Sequence, residues 1–369
     1  MKRWIDFLFG VPLSALLSLF ASKREIPSAP KKILIIKLAA AGDTILLGPV
    51  LRTFRAAHPS ATIHWLVSPI NVALARGNPH VDRLLVWSGG MAALLPLINV
   101  LRAEKYDVVC DLEQWSRGTA IIAFLTGAPC RVGFDSPGQR RAALFTKTHA
   151  QRFDQNEIDE FYDVLSLLKP LPKDHRFDLA VTEEGRNDFL KLVSFSGKKN
   201  LRVLLHPGCG VDGKPREWPL GNYAVLGHWL MKKYDADLFL SSGPEETGKS
   251  RKLHRLLSGR AHELGGRLSW QGTIALVNEM DMVVSGNTGV MHVAAALGKK
   301  QVALHGPTNA LLWGPVNSNA RVVRTSCPEC PCLKLGFEYH RRDQLCMSKI
   351  DPEDVKTAIG GLIDNNKAI

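Results

Sequence analysis

Two segments of one design, far apart in the chain, most constrain what it can fold into. In the first, the apolar run Ile33–Ile36 leads into Lys37-Leu38-Ala39-Ala40-Ala41-Gly42-Asp43-Thr44. In the second, Met282–Val284 leads into Ser285-Gly286-Asn287-Thr288-Gly289-Val290-Met291-His292. Each reads as a buried strand, a glycine turn and a helix. That is how an α/β protein exposes backbone N–H groups at the carboxyl edge of a parallel sheet. Two such edges predict two Rossmann-like halves facing one cleft, with a charged small molecule on one side and a second substrate on the other.

Around these segments strands and helices alternate. In the first half, Ala61–Val67, Arg83–Val86 and Tyr106–Leu112 read as strands. Pro49–Ala57, Ala92–Arg102 and Gly118–Leu125 read as helices or parts of them. Lys169-Pro-Leu-Pro-Lys173 reads as a linker, after which strands are expected at Arg202–Leu205, Ala236–Leu240 and Gln301–Leu304, and helices at Asn222–Lys233 and Met291–Leu297. Repeated βα units imply parallel sheets with helices on both faces. At 369 residues the chain is long for one core. The expected division is an N-terminal segment over 1–30, one Rossmann-like domain over 31–170 and a second over 171–369.

A formal net charge of +12 predicts an anionic partner: nucleic acid, a phosphorylated lipid surface or a nucleotide-bearing substrate. Aromatic residues make up only 7%, and no zinc-finger or RNA-binding signature is present, which disfavours nucleic acid. Part of the basic excess lies in Arg131, Arg140, Arg141, Lys147 and Arg152, set against one acid, Asp135. That run is expected to be either a solvated loop or a docking patch.

Seven cysteines, mostly scattered, argue for a reducing compartment and against a disulfide scaffold. Cys327, Cys330 and Cys332 cluster, with Cys346 further on. A structural metal, a local disulfide and plain packing all stay open for them. No catalytic nucleophile is implied.

Residues 4–21 are largely apolar and flanked by Lys2, Arg3, Lys23 and Arg24. A membrane span needs about 20 apolar residues, and this stretch is short and carries Asp6 and Pro12. It lacks a convincing cleavage site for a signal peptide. Basic flanks and Trp4 favour a helix lying in the membrane interface.

In the second half, Gly208, Gly210, Gly243, Gly286, Gly289 and Gly306 all fall at expected strand ends. The N–H groups of Thr288 and Gly289, where a helix begins, suit a phosphate. Lys214 and Arg216 lie in a loop of the same edge, where a cation would neutralise a departing diphosphate. Glu245 and Glu246 end a strand where an acid can bind ribose hydroxyls. In the first half, Asp43 is the sole acid of the glycine turn. It either caps the following helix or acts as a general base toward an incoming hydroxyl. The first turn lacks G-x-G-x-x-G, which argues against a nicotinamide dehydrogenase.

Over roughly residues 31–360 the chain resembles the ADP-heptose:lipopolysaccharide heptosyltransferases, glycosyltransferases of the GT-B fold. The resemblance rests on Ile35-Ile36-Lys37-Leu38 with Gly42-Asp43, on Trp218-Pro219, and on Gly243-Pro244-Glu245-Glu246. Its most specific part is Asn287-Thr288-Gly289-Val290-Met291-His292-Val293-Ala294-Ala295-Ala296, followed by Gly306-Pro307-Thr308. It implies inverting transfer of heptose from an ADP-sugar to a phosphorylated lipopolysaccharide core, with no cofactor and no metal. It also implies a cytoplasmic protein, peripheral on the inner face of the inner membrane, with no nucleic-acid partner.

By the resemblance, Asp43 is the base and Arg216, beside Lys214, meets the donor phosphates. Thr288 and Gly289 hold the diphosphate, and Glu246 or Glu245 the ribose. His292 either contacts the donor or packs under the turn. Arg131, Arg140 and Arg141 become candidates for acceptor phosphates. Asn287 stands where the family commonly has aspartate, which keeps an acceptor oxygen but loses a charge. A different nucleotide sugar therefore stays open, as does a non-catalytic sugar or lipid binder on the same fold.

Overall fold

The structure, a computed structural model, describes residues 2–21, 25–90, 92–194, 200–210, 213–333 and 345–364. The flanking Lys23 and Arg24 lie outside the described residues, as do the side chains of Lys2, Arg3 and Trp4. The chain divides into two compact units, Met1–Arg176 and Phe177–Ile369.

The first unit contains β1 (Lys32–Ile36), β2 (Thr62–Val67), β3 (Arg83–Val86), β4 (Val108–Asp111), β5 (Cys130–Asp135) and β6 (Lys147–Ala150). They form one parallel sheet in the order β3-β2-β1-β4-β5-β6. The second unit contains β7 (Arg202–His206), β8 (Asp237–Leu240), β9 (His262–Glu263), β10 (Met282–Gly286), β11 (Lys300–His305) and β12 (Ala320–Arg324). Its parallel sheet runs β12-β11-β10-β7-β8-β9. Read from the other edge this is the same winding, outward in one direction and then back past the starting strand. Each sheet therefore has a switch point, between β1 and β4 and between β7 and β10, where ligands bind in open α/β sheets.

The central strands are buried on both faces, which is why their apolar runs are continuous and do not alternate. Ile33, Leu34, Ile35 and Ile36 are all inaccessible to solvent, as are Val203, Leu204, Leu205, Met282, Val283 and Val284. The glycine turns follow because the chain must leave a buried strand and begin a helix in a few residues. Helices Ala41–Ala57 and Gly289–Ala296 start there.

The basic run corrects one expectation. Lys147 to Ala150 form the edge strand β6, and the arginines before it divide between interior and surface. Arg131 and Arg141 are buried, so they contribute nothing to an outward-facing patch. The Arg131 guanidinium donates to the carbonyls of Leu144 (2.8 Å) and Ala128 (2.6 Å). Arg141 pairs with the buried carboxylate of Asp111 and donates to the Glu113 carbonyl. A buried guanidinium has to spend its donors on internal oxygens, and here it ties β4 to the β5–β6 connection. Arg140 is exposed, with a φ of 54°.

The N-terminal helix, Lys2–Ser18, packs on the first unit by an unusual edge. Asp6 accepts from the N–H groups of Arg117 and Gly118 (both 3.0 Å) and pairs with the Arg117 guanidinium (3.0 Å). Gly10 lies so close to Arg117 that a Cβ there would meet the Arg117 Cβ at 2.9 Å, and Ser14 is buried. The large apolar residues Phe7, Leu8, Phe9, Leu13 and Leu16 face out, followed by Leu19 and Phe20. No described helix is long and apolar enough to cross a membrane.

Candidate functional site

At the β1–β4 switch point a buried lysine organises the first glycine turn. Lys37 ends the apolar run and is 3% exposed, with Nζ 2.8 Å from Asp43 Oδ2 and 3.4 Å from Glu113 Oε2. Burial by itself lowers a lysine pKa, but Asp43, Glu113 and Glu157 outweigh it and hold Lys37 above its ordinary value. The ammonium is therefore fully charged at neutral pH. Glu113 Oε1 accepts from the N–H groups of Leu38 (2.6 Å) and Ala39 (2.8 Å), fixing the turn.

Asp43 is the third residue of its helix, and its Oδ2 accepts from Ala40 N–H at 3.1 Å. The capping contact coexists with exposure, because 20% of the side chain still meets solvent. Behind it lies Glu157, whose two oxygens accept from Gln114 Nε2 at 2.6 and 2.8 Å. Burial, and then the neighbouring Asp43 carboxylate, push the Glu157 pKa up to about 8. The result is one solvent-facing carboxylate held by one ammonium, an arrangement that can accept a proton from a hydroxyl. Reading the sequence quoted Lys37 without giving it a role and missed Glu113 and Glu157. The available signal was a lysine at the end of a fully apolar strand.

At the β7–β10 switch point the loops after β7, β8 and β10 are knitted together. Arg216 is half-buried, in a short 3-10 turn over Lys214–Arg216. Its guanidinium donates to the carbonyls of Cys209 (3.0 Å) and Asn287 (3.4 Å), while Nε has no partner among the described residues. Gly286 abuts this contact: a Cβ there would meet the Arg216 carbonyl and the Cys209 sulfur, both at 3.2 Å. Lys214 is exposed. Glu246 is buried and accepts from the N–H groups of Cys209 and Gly210, both at 3.0 Å, and pairs with Lys249. Burial works against its ionisation, but Lys249 and the two N–H groups prevail and hold the pKa below the usual value. Glu246 thus shapes the β7 loop, and of the two glutamates Glu245 is the exposed one.

Thr288 is the N-cap of the helix Gly289–Ala296, and its hydroxyl makes no cap bond. Its Oγ1, with Ser285 Oγ and His305 Nε2, is buried and has no partner among the described residues. Unbonded polar atoms at a helix start, beside the N–H groups of the first turn, are what an anionic ligand would use. Asn287 is buried, and its main-chain carbonyl meets Arg216. His292 is buried on the same helix, beside His305. Burial, then the neighbouring His292, bring the His305 pKa down to about 3, so its ring is neutral, with Nδ1 2.9 Å from Thr308 Oγ1.

Trp218 supports this edge from beneath. It is 1% exposed, its Nε1–H donates to the Ile350 carbonyl (3.0 Å), and its ring stands edge-on to Tyr223. The Tyr223 hydroxyl in turn donates to the His206 carbonyl at the end of β7 (3.1 Å).

The family model described as glycosyltransferase family 9 (heptosyltransferase) matches residues 94–340. The chain is 27% identical over 310 residues to the lipopolysaccharide heptosyltransferase 2 of Salmonella typhimurium, covering 79% of this chain and 88% of that one. The solved ADP-heptose lps heptosyltransferase II of E. coli is 22% identical, with a TM-score of 0.72 over 91% of this chain and 99% of its own. The E. coli heptosyltransferase WaaC, solved with ADP, is 20% identical, with a TM-score of 0.66 over 90% and 99%. With two parallel six-stranded sheets of the same winding and a match over most of its length, the chain belongs to glycosyltransferase family 9 and is a glycosyltransferase of the GT-B fold.

Proposed function

We propose that this enzyme transfers L-glycero-D-manno-heptose, with inversion and without a metal, from an ADP-heptose donor to the inner core of lipopolysaccharide. Curated relatives named lipopolysaccharide heptosyltransferases support the reaction, and a relative solved with ADP supports the nucleotide. The observation that carries the reading for this chain is the anion-binding set of the second unit. A guanidinium tethered to two loop carbonyls flanks a glycine turn whose threonine hydroxyl is unbonded.

In this mechanism the N–H groups of Thr288 and Gly289 and the cations Arg216 and Lys214 stabilise the departing diphosphate. Glu245 takes ribose hydroxyls, with Glu246 holding the loop that presents them. Asn287 and His292 border the sugar. Asp43 removes the proton of the acceptor hydroxyl, which attacks the anomeric carbon in one displacement. Of the three arginines expected at the acceptor, Arg140, exposed in the β5–β6 connection, is the one left for acceptor phosphates.

The test is calorimetric titration against ADP, UDP and NAD, followed by transfer from ADP-heptose to a heptose-deficient core. Selective ADP binding and a product of inverted configuration are expected. Preference for UDP would replace the donor, a possibility that Asn287 motivates. Arg216→Ala should raise the ADP Kd about ten- to a hundredfold, the worth of one charged hydrogen bond. An unchanged Kd would remove Arg216 from the phosphate site.

The N-terminal helix supports attachment to the inner face of the inner membrane. It turns a polar, small-residue edge to the protein and an apolar face outward, the reverse of a core-facing helix. Each apolar side chain buried in lipid contributes about 1.5–3 kcal/mol. Phe9→Ser with Leu16→Ser should therefore lower sedimentation with anionic vesicles at least about tenfold. Equal sedimentation of variant and parent would rule out this face as the anchor.

A further inference from the structure

We propose that Cys327, Cys330 and Cys346, completed by Cys332, bind one structural zinc ion in the second unit. Four of the seven cysteines of the chain stand at these positions. The first three bring their sulfurs within 4.8 Å of one another, although Cys346 is far from the others in sequence. Cys346 Sγ is 2.7 Å from Cys330 Sγ and 3.6 Å from Cys327 Sγ. Tetrahedral zinc with Zn–S bonds of about 2.3 Å separates its sulfurs by roughly 3.8 Å, so the Cys346–Cys327 pair already stands near that spacing and the Cys346–Cys330 pair opens by about 1 Å on binding. A disulfide between Cys330 and Cys346 would use two sulfurs and leave the third, Cys327, buried against it. Convergence of three is what a metal requires.

The local backbone is that of a metal knuckle. Cys327-Pro328-Glu329-Cys330 forms a tight turn closed by Cys330 N–H to the Cys327 carbonyl at 3.1 Å, with proline at its favoured second position. Cys332 lies two residues beyond Cys330 and is half-buried; its sulfur stands outside the cluster of three and turns inward to complete the site. Four thiolates and one divalent cation complete a closed site, with no open position for catalysis. On binding, the four thiol protons pass to the buffer.

The zinc would brace the donor site from behind. The segment between β12 and the helix Leu345–Ser348 has little regular hydrogen bonding of its own among the described residues. Yet it backs the Gly306–Thr308 turn: the N–H groups of Cys332 and Leu333 both donate to the Pro307 carbonyl at 3.0 Å. Met347, next to Cys346, lies under Gly306, where a Cβ would meet its sulfur at 2.4 Å. Linking Cys327, Cys330 and Cys332 to Cys346 through a metal fixes both contacts at once. This assignment holds whatever sugar the enzyme transfers.

The experiment is elemental analysis of the full chain, purified without tag or chelator from zinc-supplemented cells. Zinc release by a mercurial thiol reagent would be followed with a chromogenic chelator. One zinc per chain is expected, released in step with the blocking of four thiols. Cys346→Ser should lower zinc occupancy at least about tenfold. Zinc near zero, stoichiometric iron in its place, or a Cys330–Cys346 disulfide in a non-reduced peptide map would each overturn the assignment. Should Cys346→Ser fail to fold, cobalt(II) exchanged into the parent protein decides the matter. Sulfur-to-cobalt charge-transfer bands of a tetrahedral thiolate site support the assignment, and a spectrum of hydrated cobalt alone overturns it.

Discussion

Asp43→Ala is expected to slow transfer by about a hundred- to ten-thousandfold, the usual contribution of a positioned general base. The ADP Kd should stay within a few-fold of the parent, because the groups proposed to bind the nucleotide belong to the second unit. Asp43 also caps its helix through Ala40 N–H and pairs with the buried Lys37, so the alanine variant alone would confound stability with chemistry. Asp43→Asn separates the two. The amide oxygen can keep the Ala40 contact and the volume, while Lys37 retains Glu113 as a counter-ion. An asparagine variant that melts near the parent temperature and binds ADP, yet transfers no sugar, fits a base. Full turnover by either variant would leave Asp43 with only its structural role.

Arg141→Met should destabilise the first unit by about 3–5 kcal/mol, the cost of breaking a buried ion pair from one side. Both Arg141 and Asp111 are inaccessible to solvent, so nothing but protein can compensate the carboxylate left behind. Burial already raises the Asp111 pKa above its ordinary value, against the lowering effect of Arg141. For a raised carboxylate, the folded state binds more protons than the unfolded one, so stability falls as pH rises through the interval above pH 3.8. Without the guanidinium that interval extends further upward. The loss should therefore be larger at pH 8 than at pH 5 when measured by denaturant unfolding. Adding Asp111→Asn should recover part of it, since the amide oxygen can still accept from Glu113 N–H, now 3.0 Å from Asp111 Oδ1. A loss under about 1 kcal/mol, or one independent of pH, would mean that water reaches the pair.

These two residues also mark the limit of what could be read before the fold was known. The place of Asp43 at a helix start was legible because its signal is local: an apolar run, a glycine and one acid in the first helical turn. Arg141 was misread because its signal is not local. A cluster of arginines with one neighbouring acid looks like surface, and the acid that claims Arg141 lies on another strand. The same holds for Lys37, whose partners Glu113 and Glu157 come from segments well beyond the turn. The glutamate pair was found as a pair, but only the loop packing distinguishes buried Glu246 from exposed Glu245.

The sequence by itself determined β1–β4, β7, β8, β10 and β11, the glycine turns and the two-part α/β architecture, because continuous apolar runs and turn residues act within a few positions; β5, β6, β9 and β12 were not read from it. It also placed the candidate residues at the strand ends of the two sheets, since a parallel sheet presents its carboxyl ends together. Only the tertiary structure decided which cations stay outside, which carboxylates are buried, and that Cys346 meets Cys327 and Cys330. Those outcomes depend on strand order and burial, which bring distant residues within a few ångströms and remove the water that would otherwise screen them.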